Sequence, residues 1–317
     1  MKIAILNECF FNEGHLKRLK KVGEVVDYKN TTTEEETIER LKDADVGIVD
    51  QFLAPFNKNV LENVKKLKLL ALNSTAFHNV DLEIANEKGI KVSNTPGFSK
   101  QSVAELAIAL MFAVNRKLAF GDRLMRQKPT EPDPGNKEDQ KLIGFEMKGR
   151  TLGIVGLGKI GSATAELGMG LGMNVIAYTR TFKKVKGVKM VSKEELLRTS
   201  DVISLHVPLT SETKNLISKK DIELMKPNAI LINTTRPEVV DMKALYDALK
   251  QNKIYGVGLD YGGSVKPEDN ILKLDNVVFT PHIGSFTKEA FFENLPNMIV
   301  ENVESFVKGK PKNLVDQ

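Results

Sequence analysis

The chain has 317 residues, 41% of them hydrophobic, with 46 basic against 41 acidic side chains and a formal net charge of +5. That length predicts two domains, and the single cysteine, Cys9, excludes a disulfide framework and fits a reducing cytoplasm. Basic and acidic residues alternate, with Lys183-Lys184 and Lys219-Lys220 read as solvated surface. This excludes a nucleic-acid face and leaves a modest attraction for small anions. The apolar run 102–114 contains Glu105 and is too short to span a bilayer, and Lys2–Leu6 is too short for a signal-peptide core.

In chain order, the first part alternates strands with helix-periodic stretches. Strands are expected at Lys2–Leu6, Glu24–Tyr28, Val46–Val49, Leu67–Leu72 and Ile90–Val92. Thr33 with Glu36, and Asp81, supply helix N-caps, and Gly89 a helix stop. A helix over Ser102–Asn115 carries Leu106, Ala107, Leu110, Met111 and Val114 on one stripe, and Leu106, Leu110 and Val114 with the adjoining Met111 and Leu118 are read as an exposed face for a second copy. Pro129–Gln140, with three prolines, reads as a loop or arm. From Thr151–Val155 the alternation resumes with strands at Asn174–Thr179, Val202–Val207, Ala229–Asn233, Tyr255–Leu259 and Val277–Phe279, six in all. A last helical pattern, Thr287–Lys308, is interrupted by Pro296.

Gly153-Ile-Val-Gly-Leu-Gly-Lys-Ile-Gly161 is the most informative segment. A strand runs into a glycine turn and then a helix whose N–H groups can hold a pyrophosphate, the setting that a dinucleotide fingerprint requires. The strand that follows ends Val175-Ile-Ala-Tyr-Thr-Arg-Thr181. Thr179 stands where NAD-binding domains carry the acidic partner of the ribose 2′-OH. Arg180, Thr181 and Lys183 would suit a 2′-phosphate, so NADP(H) is expected and NAD is the alternative.

Downstream, five motifs occur in one order: Asn94-Thr-Pro-Gly-Phe-Ser with Ser102-Val-Ala-Glu105, Leu205-His-Val-Pro-Leu-Thr-Ser-Glu-Thr213, Ile232-Asn-Thr-Thr-Arg236, Gly258-Leu-Asp260 and Thr280-Pro-His-Ile-Gly284. With them the chain resembles the D-2-hydroxyacid dehydrogenase family over nearly its whole length, in its glyoxylate and hydroxypyruvate reductase branch. The resemblance implies an α/β protein of two doubly wound parallel-sheet domains. A Rossmann cofactor domain (98–287) would be inserted into a flavodoxin-like substrate domain (1–97 and 288–317), in a homodimeric cytoplasmic enzyme. It implies cofactor contacts from Gly156, Gly158, Lys159 and Ile160 in the glycine turn, and from Thr179, Arg180 and Thr181 beyond the next strand. Further contacts would come from His206, Val207, Pro208 and Thr213, and from Thr234, Thr235, Asp260 and Gly284. No metal is expected.

The resemblance also assigns roles that chemistry supports. A 2-keto acid needs a cation whose fork holds carboxylate and carbonyl together, and Arg236 follows a strand end where open sheets bind ligands. Reduction leaves an alkoxide to be protonated, which suits His282. Ser74-Thr-Ala-Phe-His-Asn-Val-Asp81 matches the loop that offers backbone N–H groups to the substrate carboxylate, so Ser74, Thr75, Ala76 and His78 are expected substrate contacts. Here Ala76 replaces glycine and His78 replaces aspartate. The family's carboxylate partner of the histidine falls at Val265, in a loop about two residues short, with Glu268 and Asp269 as the nearest substitutes. The leading expectation is a 2-keto acid reductase acting on glyoxylate, hydroxypyruvate or pyruvate. The alternative is a cofactor-binding regulatory protein with weak turnover.

Overall fold

Short runs such as Val46-Gly-Ile-Val49 and Leu69-Leu-Ala-Leu72 are buried from end to end, the pattern of strands covered on both faces. The computed structural model describes every residue except 128, 130, 182, 183, 264, 265, 267, 268, 316 and 317. The described chain forms two units, Met1–Ser99 with Phe286–Gln317, and Lys100–Ser285.

The first unit contains β1 (Lys2–Ile5), β2 (Glu24–Asp27), β3 (Val46–Val49), β4 (Leu69–Leu72) and β5 (Lys91–Ser93). They form a parallel sheet in the order β2-β1-β3-β4-β5, the flavodoxin-like doubly wound order. One face packs on Leu41, Phe56, Val60 and Ala85. The other packs on Leu19 and on Leu295, Ile299, Val300 and Val303 of the final helix, which returns to this unit. That helix, Leu295–Val307, carries Pro296 in its first turn, where a missing N–H leaves no gap in the ladder. A π-helical turn, Glu289–Asn294, precedes it, so Pro296 begins the α-helix rather than interrupting it. The caps act as expected: Thr33 Oγ1 accepts from the Glu36 N–H and Asp81 Oδ1 from the Ile84 N–H, both at 3.2 Å.

Among its described residues the second unit contains seven strands: β6 (Thr151–Val155), β7 (Asn174–Tyr178), β8 (Val188–Met190), β9 (Val202–Leu205), β10 (Ile230–Asn233), β11 (Gly256–Asp260) and β12 (Val277–Thr280). All are parallel, in the order β12-β11-β10-β9-β6-β7-β8, so chain direction across the sheet reverses between β6 and β9. β8, three residues with none fully buried, is the strand that apolar patterning does not reveal.

The helix over Lys100–Asn115 corrects one expectation. Ala107, Leu110, Met111 and Val114 are buried in this unit's own core, and Leu106 packs against it. Gly256 and Gly258 permit this, since a Cβ at either would lie 2.7 Å from Val114 Cγ1 or 2.9 Å from Leu110 Cβ. Of the expected exposed stripe only Leu118 is exposed. It opens a separate helix, Leu118–Gln127, none of whose residues is buried.

Candidate active site

The glycine turn joins β6 to the helix Lys159–Gly170, whose N-cap, Gly158, makes no side-chain cap. Its three glycines meet three different constraints. Gly156 has φ +94°, and a Cβ there would lie 2.7 Å from both His206 O and Val207 Cγ1. Gly158 faces open space, so a ligand can come close to the backbone there, while a Cβ on Gly161 would lie 2.0 Å from Gly156 O. Tight turn, close approach and helix packing are the requirements of a pyrophosphate site. His206 adds a second observation. Its Nε2 pairs with Ser204 Oγ at 2.9 Å, whereas Nδ1 is buried with no hydrogen-bond partner among the described residues. Burial holds the ring neutral by pushing its pKa down to about 3. An unpartnered ring nitrogen beside the glycine turn and a cradle that any Cβ would fill both fit a bound dinucleotide.

Beyond β7, Thr179 is half-buried and Arg180 and Thr181 are exposed. The Arg180 guanidinium pairs with the Glu212 carboxylate. Lys183 lies outside the described residues.

β10, β11 and β12 are neighbours and end together, so their carboxyl ends bring Arg236, Asp260 and His282 to one edge of the sheet. Buried Asn233, the last residue of β10, shapes the Arg236 turn. Its Oδ1 accepts from Thr235 N at 2.9 Å and Thr235 Oγ1 at 2.7 Å, while its Nδ2 donates to Arg236 O at 3.0 Å and to the Tyr261 hydroxyl. Arg236 itself is exposed, one N–H resting on Thr235 O at 3.2 Å. Thr234 Oγ1, next to this turn, is buried with no hydrogen-bond partner among the described residues.

His282 is also exposed and adopts φ +57°, a left-handed conformation that few residues other than glycine take, asparagine, aspartate and histidine most often among them. Asp260, 2% exposed, holds the loop in that shape. Its Oδ1 accepts from Thr280 Oγ1 at 2.7 Å and Ile283 N at 2.8 Å, and its Oδ2 from Gly284 N at 2.8 Å. Both oxygens of a residue expected as a cofactor contact are therefore engaged with the histidine loop. Val265 and Glu268 lie outside the described residues. Asp269 Oδ2 accepts from Lys266 N at 2.8 Å, which ties that carboxylate to its own turn.

In the other unit, Ser74–His78 follows β4. Ala76 is not among the residues with positive φ, so the loop takes its shape without a glycine there. Two buried amides set that shape. Gln51 Nε2 donates to Ser74 Oγ at 3.1 Å, and Gln51 Oε1 accepts from Asn79 N at 2.9 Å. Asn94 Nδ2 donates to Thr75 O at 2.7 Å. Ser74 Oγ in turn donates to Ala76 O at 2.8 Å, and Thr75 Oγ1 to Thr95 O at 2.9 Å. His78 is exposed, its ring meeting the edge of Phe52 at 5.6 Å. Sequence reasoning assigns no role to Gln51, Asn94, Asn233 or Tyr261, because each acts through a neighbour's backbone, hydroxyl or amide. Asn94 and Asn233 carried a signal, since both stand in the quoted motifs and Asn233 is the polar end of an otherwise apolar strand.

Comparison with known proteins points to one family. The family model described as the D-isomer specific 2-hydroxyacid dehydrogenase, NAD binding domain, matches residues 108–284. A glyoxylate reductase of Thermococcus litoralis is 40% identical over 313 residues, covering 96% of this chain and 94% of that protein. A glyoxylate reductase of Korarchaeum cryptofilum is 40% identical over 287 residues, covering 88% and 85%. The solved structure of an acyclic imino acid reductase in complex with NADPH and D-Arg is similar with a TM-score of 0.87, at 34% identity over 100% of both chains.

Proposed function

The chain belongs to the D-isomer specific 2-hydroxyacid dehydrogenase family and is an oxidoreductase, and from that premise we propose that it reduces small 2-keto acids of the glyoxylate, hydroxypyruvate or pyruvate class, with NADP(H) as its preferred nicotinamide. The observation that carries this reading is the shared sheet edge on which Arg236 and His282 stand, each on a turn fixed by a buried polar residue of the strand end, Asn233 and Asp260. A bound nicotinamide would supply the hydride. The Arg236 fork holds the substrate carboxylate and polarises the carbonyl, which only a guanidinium does with two parallel donors. His282 gives a proton to the developing alkoxide oxygen and takes it back in the reverse direction. The exposed guanidinium of Arg180 and the hydroxyls of Thr179 and Thr181 support NADP(H), because no carboxylate ends β7 to repel a 2′-phosphate. Ser74, Thr75 and Ala76 supply the substrate loop.

One observation favours a second substrate class. The position of the family's glutamate is Val265, and Asp269 is tied to its own turn. An iminium carries its proton on nitrogen already, so 2-imino acid reduction makes a smaller demand on His282 than ketone reduction does. A regulatory role with little turnover finds no support, since binding alone uses neither Arg236 nor His282.

The test is steady-state turnover of glyoxylate, hydroxypyruvate and pyruvate with NADPH and NADH, with and without ammonium. Turnover of a keto acid alone, faster with NADPH, supports the main reading. Turnover only when ammonium is present supports the imino acid, and none under either condition refutes both. The assembly is proposed to be a homodimer joined through Leu118–Gln127, the helix with no buried residue. Light scattering that gave the 35.2 kDa monomer at micromolar concentration would refute it.

A further inference from the structure

Arg180 lies two residues beyond β7, and its carboxylate partner does not come from its own strand end. Glu212 reaches it from the loop after β9, so the pair joins loops that leave the strands on either side of β6. The Glu212 loop has a defined shape. Thr213 Oγ1 donates to Pro208 O at 2.6 Å and accepts from Thr210 N at 2.7 Å, fastening the turn that carries Glu212. Among the described residues Arg180 has no other ion pair. Arg180 and Glu212 are 81% and 66% exposed, so the contact is a weak one that a stronger anion can open.

We propose that Glu212 sets the cofactor preference, by occupying the guanidinium that a ribose 2′-phosphate would otherwise take. The inference rests on the reading that Arg180 is the 2′-phosphate contact. With a 2′-hydroxyl cofactor the pair stays closed and its charges cancel. With a 2′-phosphate, Arg180 exchanges one carboxylate for a dianion that can take its fork bidentately, and Glu212 is left facing that dianion as a repulsive neighbour. Specificity of this kind comes as much from the repulsive element as from the attractive one. The arrangement holds the protein nearer to dual use of NADP(H) and NAD(H) than Arg180 alone would.

The experiment is titration of the full-length protein with NADPH and NADH by nicotinamide fluorescence. Calorimetry with adenosine 2′,5′-bisphosphate against 5′-AMP provides a reading independent of turnover. Glu212→Gln is expected to tighten NADPH and the bisphosphate about threefold to tenfold, the size of a lost exposed ion pair plus a removed repulsion. NADH and 5′-AMP should stay within twofold, and the gain should shrink as salt is raised. Unchanged NADPH affinity, or weakened NADH affinity, would overturn the proposal, the latter because Glu212 would then be a ribose hydroxyl contact. Arg180→Gln separates this from failure of the underlying reading. If Arg180→Gln weakens NADPH selectively while Glu212→Gln does nothing, Glu212 is not a determinant although Arg180 is the phosphate contact. If Arg180→Gln leaves both cofactors unchanged, the phosphate reading and the proposal fall together.

Discussion

Asp260→Asn tests whether the loop of the proposed acid–base residue, His282, is set from beneath. The carboxylate accepts three hydrogen bonds of 2.7–2.8 Å from Thr280, Ile283 and Gly284, and it is 2% exposed, so water cannot replace them. An asparagine oxygen at the Oδ1 position keeps the Thr280 and Ile283 bonds in uncharged form. Its NH₂ then faces the Gly284 N–H, donor against donor. Loss of one charge-assisted bond and weakening of two others predicts a destabilisation of about 2–3 kcal/mol. The same loop holds His282 at φ +57°, a conformation that its neighbours must impose. Released from the carboxylate, the loop relaxes and the imidazole moves. A displacement on the order of 1 Å at a reacting group lowers turnover by about 10²-fold. The assays are urea denaturation, kcat for a keto acid, and the fluorescence Kd of NADPH. Lower stability and lower kcat with Kd within about threefold is the expected result. An Asp260→Asn protein with parental stability and kcat but weakened NADPH would refute the reasoning and make Asp260 a direct cofactor contact.

Three other perturbations follow from the same residues. Arg236→Lys keeps the charge and loses the fork, so kcat/KM for a keto acid should fall by about 10²-fold or more with NADPH affinity unchanged; activity within threefold of the parent would show that Arg236 is not the clamp. Gln51→Ala removes both amide bonds to the Ser74–Asn79 loop and should raise the keto acid KM severalfold at nearly constant cofactor affinity; parental KM would mean that the loop keeps its shape without Gln51. His206 is neutral when folded, its pKa pushed down to about 3 by burial, whereas the unfolded chain binds a proton below about 6.5. Stability should therefore fall as pH drops through that window, by on the order of 2 kcal/mol at pH 5 from this group. His206→Gln should flatten the slope, as denaturation midpoints at pH 7 and 5 would reveal.

The architecture was legible because burial writes itself into runs of residues. β3 and β4 are short runs without a polar side chain, β9 and β10 are buried throughout with one polar residue each, and the glycine turn sits where strand pattern gives way to helix pattern. β8 escaped because Val188-Lys-Met190 is three residues at a sheet edge, too short for any period to register. Sequence alone leaves the helical stripe at Leu110, Met111 and Val114 looking exposed, because periodicity tells which residues share a face and not what covers that face. Here the cover is the unit's own sheet, admitted by Gly256 and Gly258.

The proposed site is read from sequence in a different way, and the limit of that reading has a physical cause. Arg236, His282 and the glycine turn are recognisable because their chemistry depends on residue type: a fork, an imidazole, a missing Cβ. What holds them depends on distances across strands far apart in sequence. Asp260 reaches 24 residues ahead to Gly284, Gln51 reaches 28 residues to Asn79, and Glu212 pairs with Arg180 across 32. Such partners share no local spacing, so no pattern within one segment can reveal them. Ala76 shows the consequence. Its replacement of glycine looks like a defect when the loop is read alone, yet the loop is shaped from outside by the Gln51 and Asn94 amides, with no positive φ at position 76. A departure from a family motif is therefore best weighed against the hydrogen bonds that fix the loop, because those bonds decide whether the missing residue was needed.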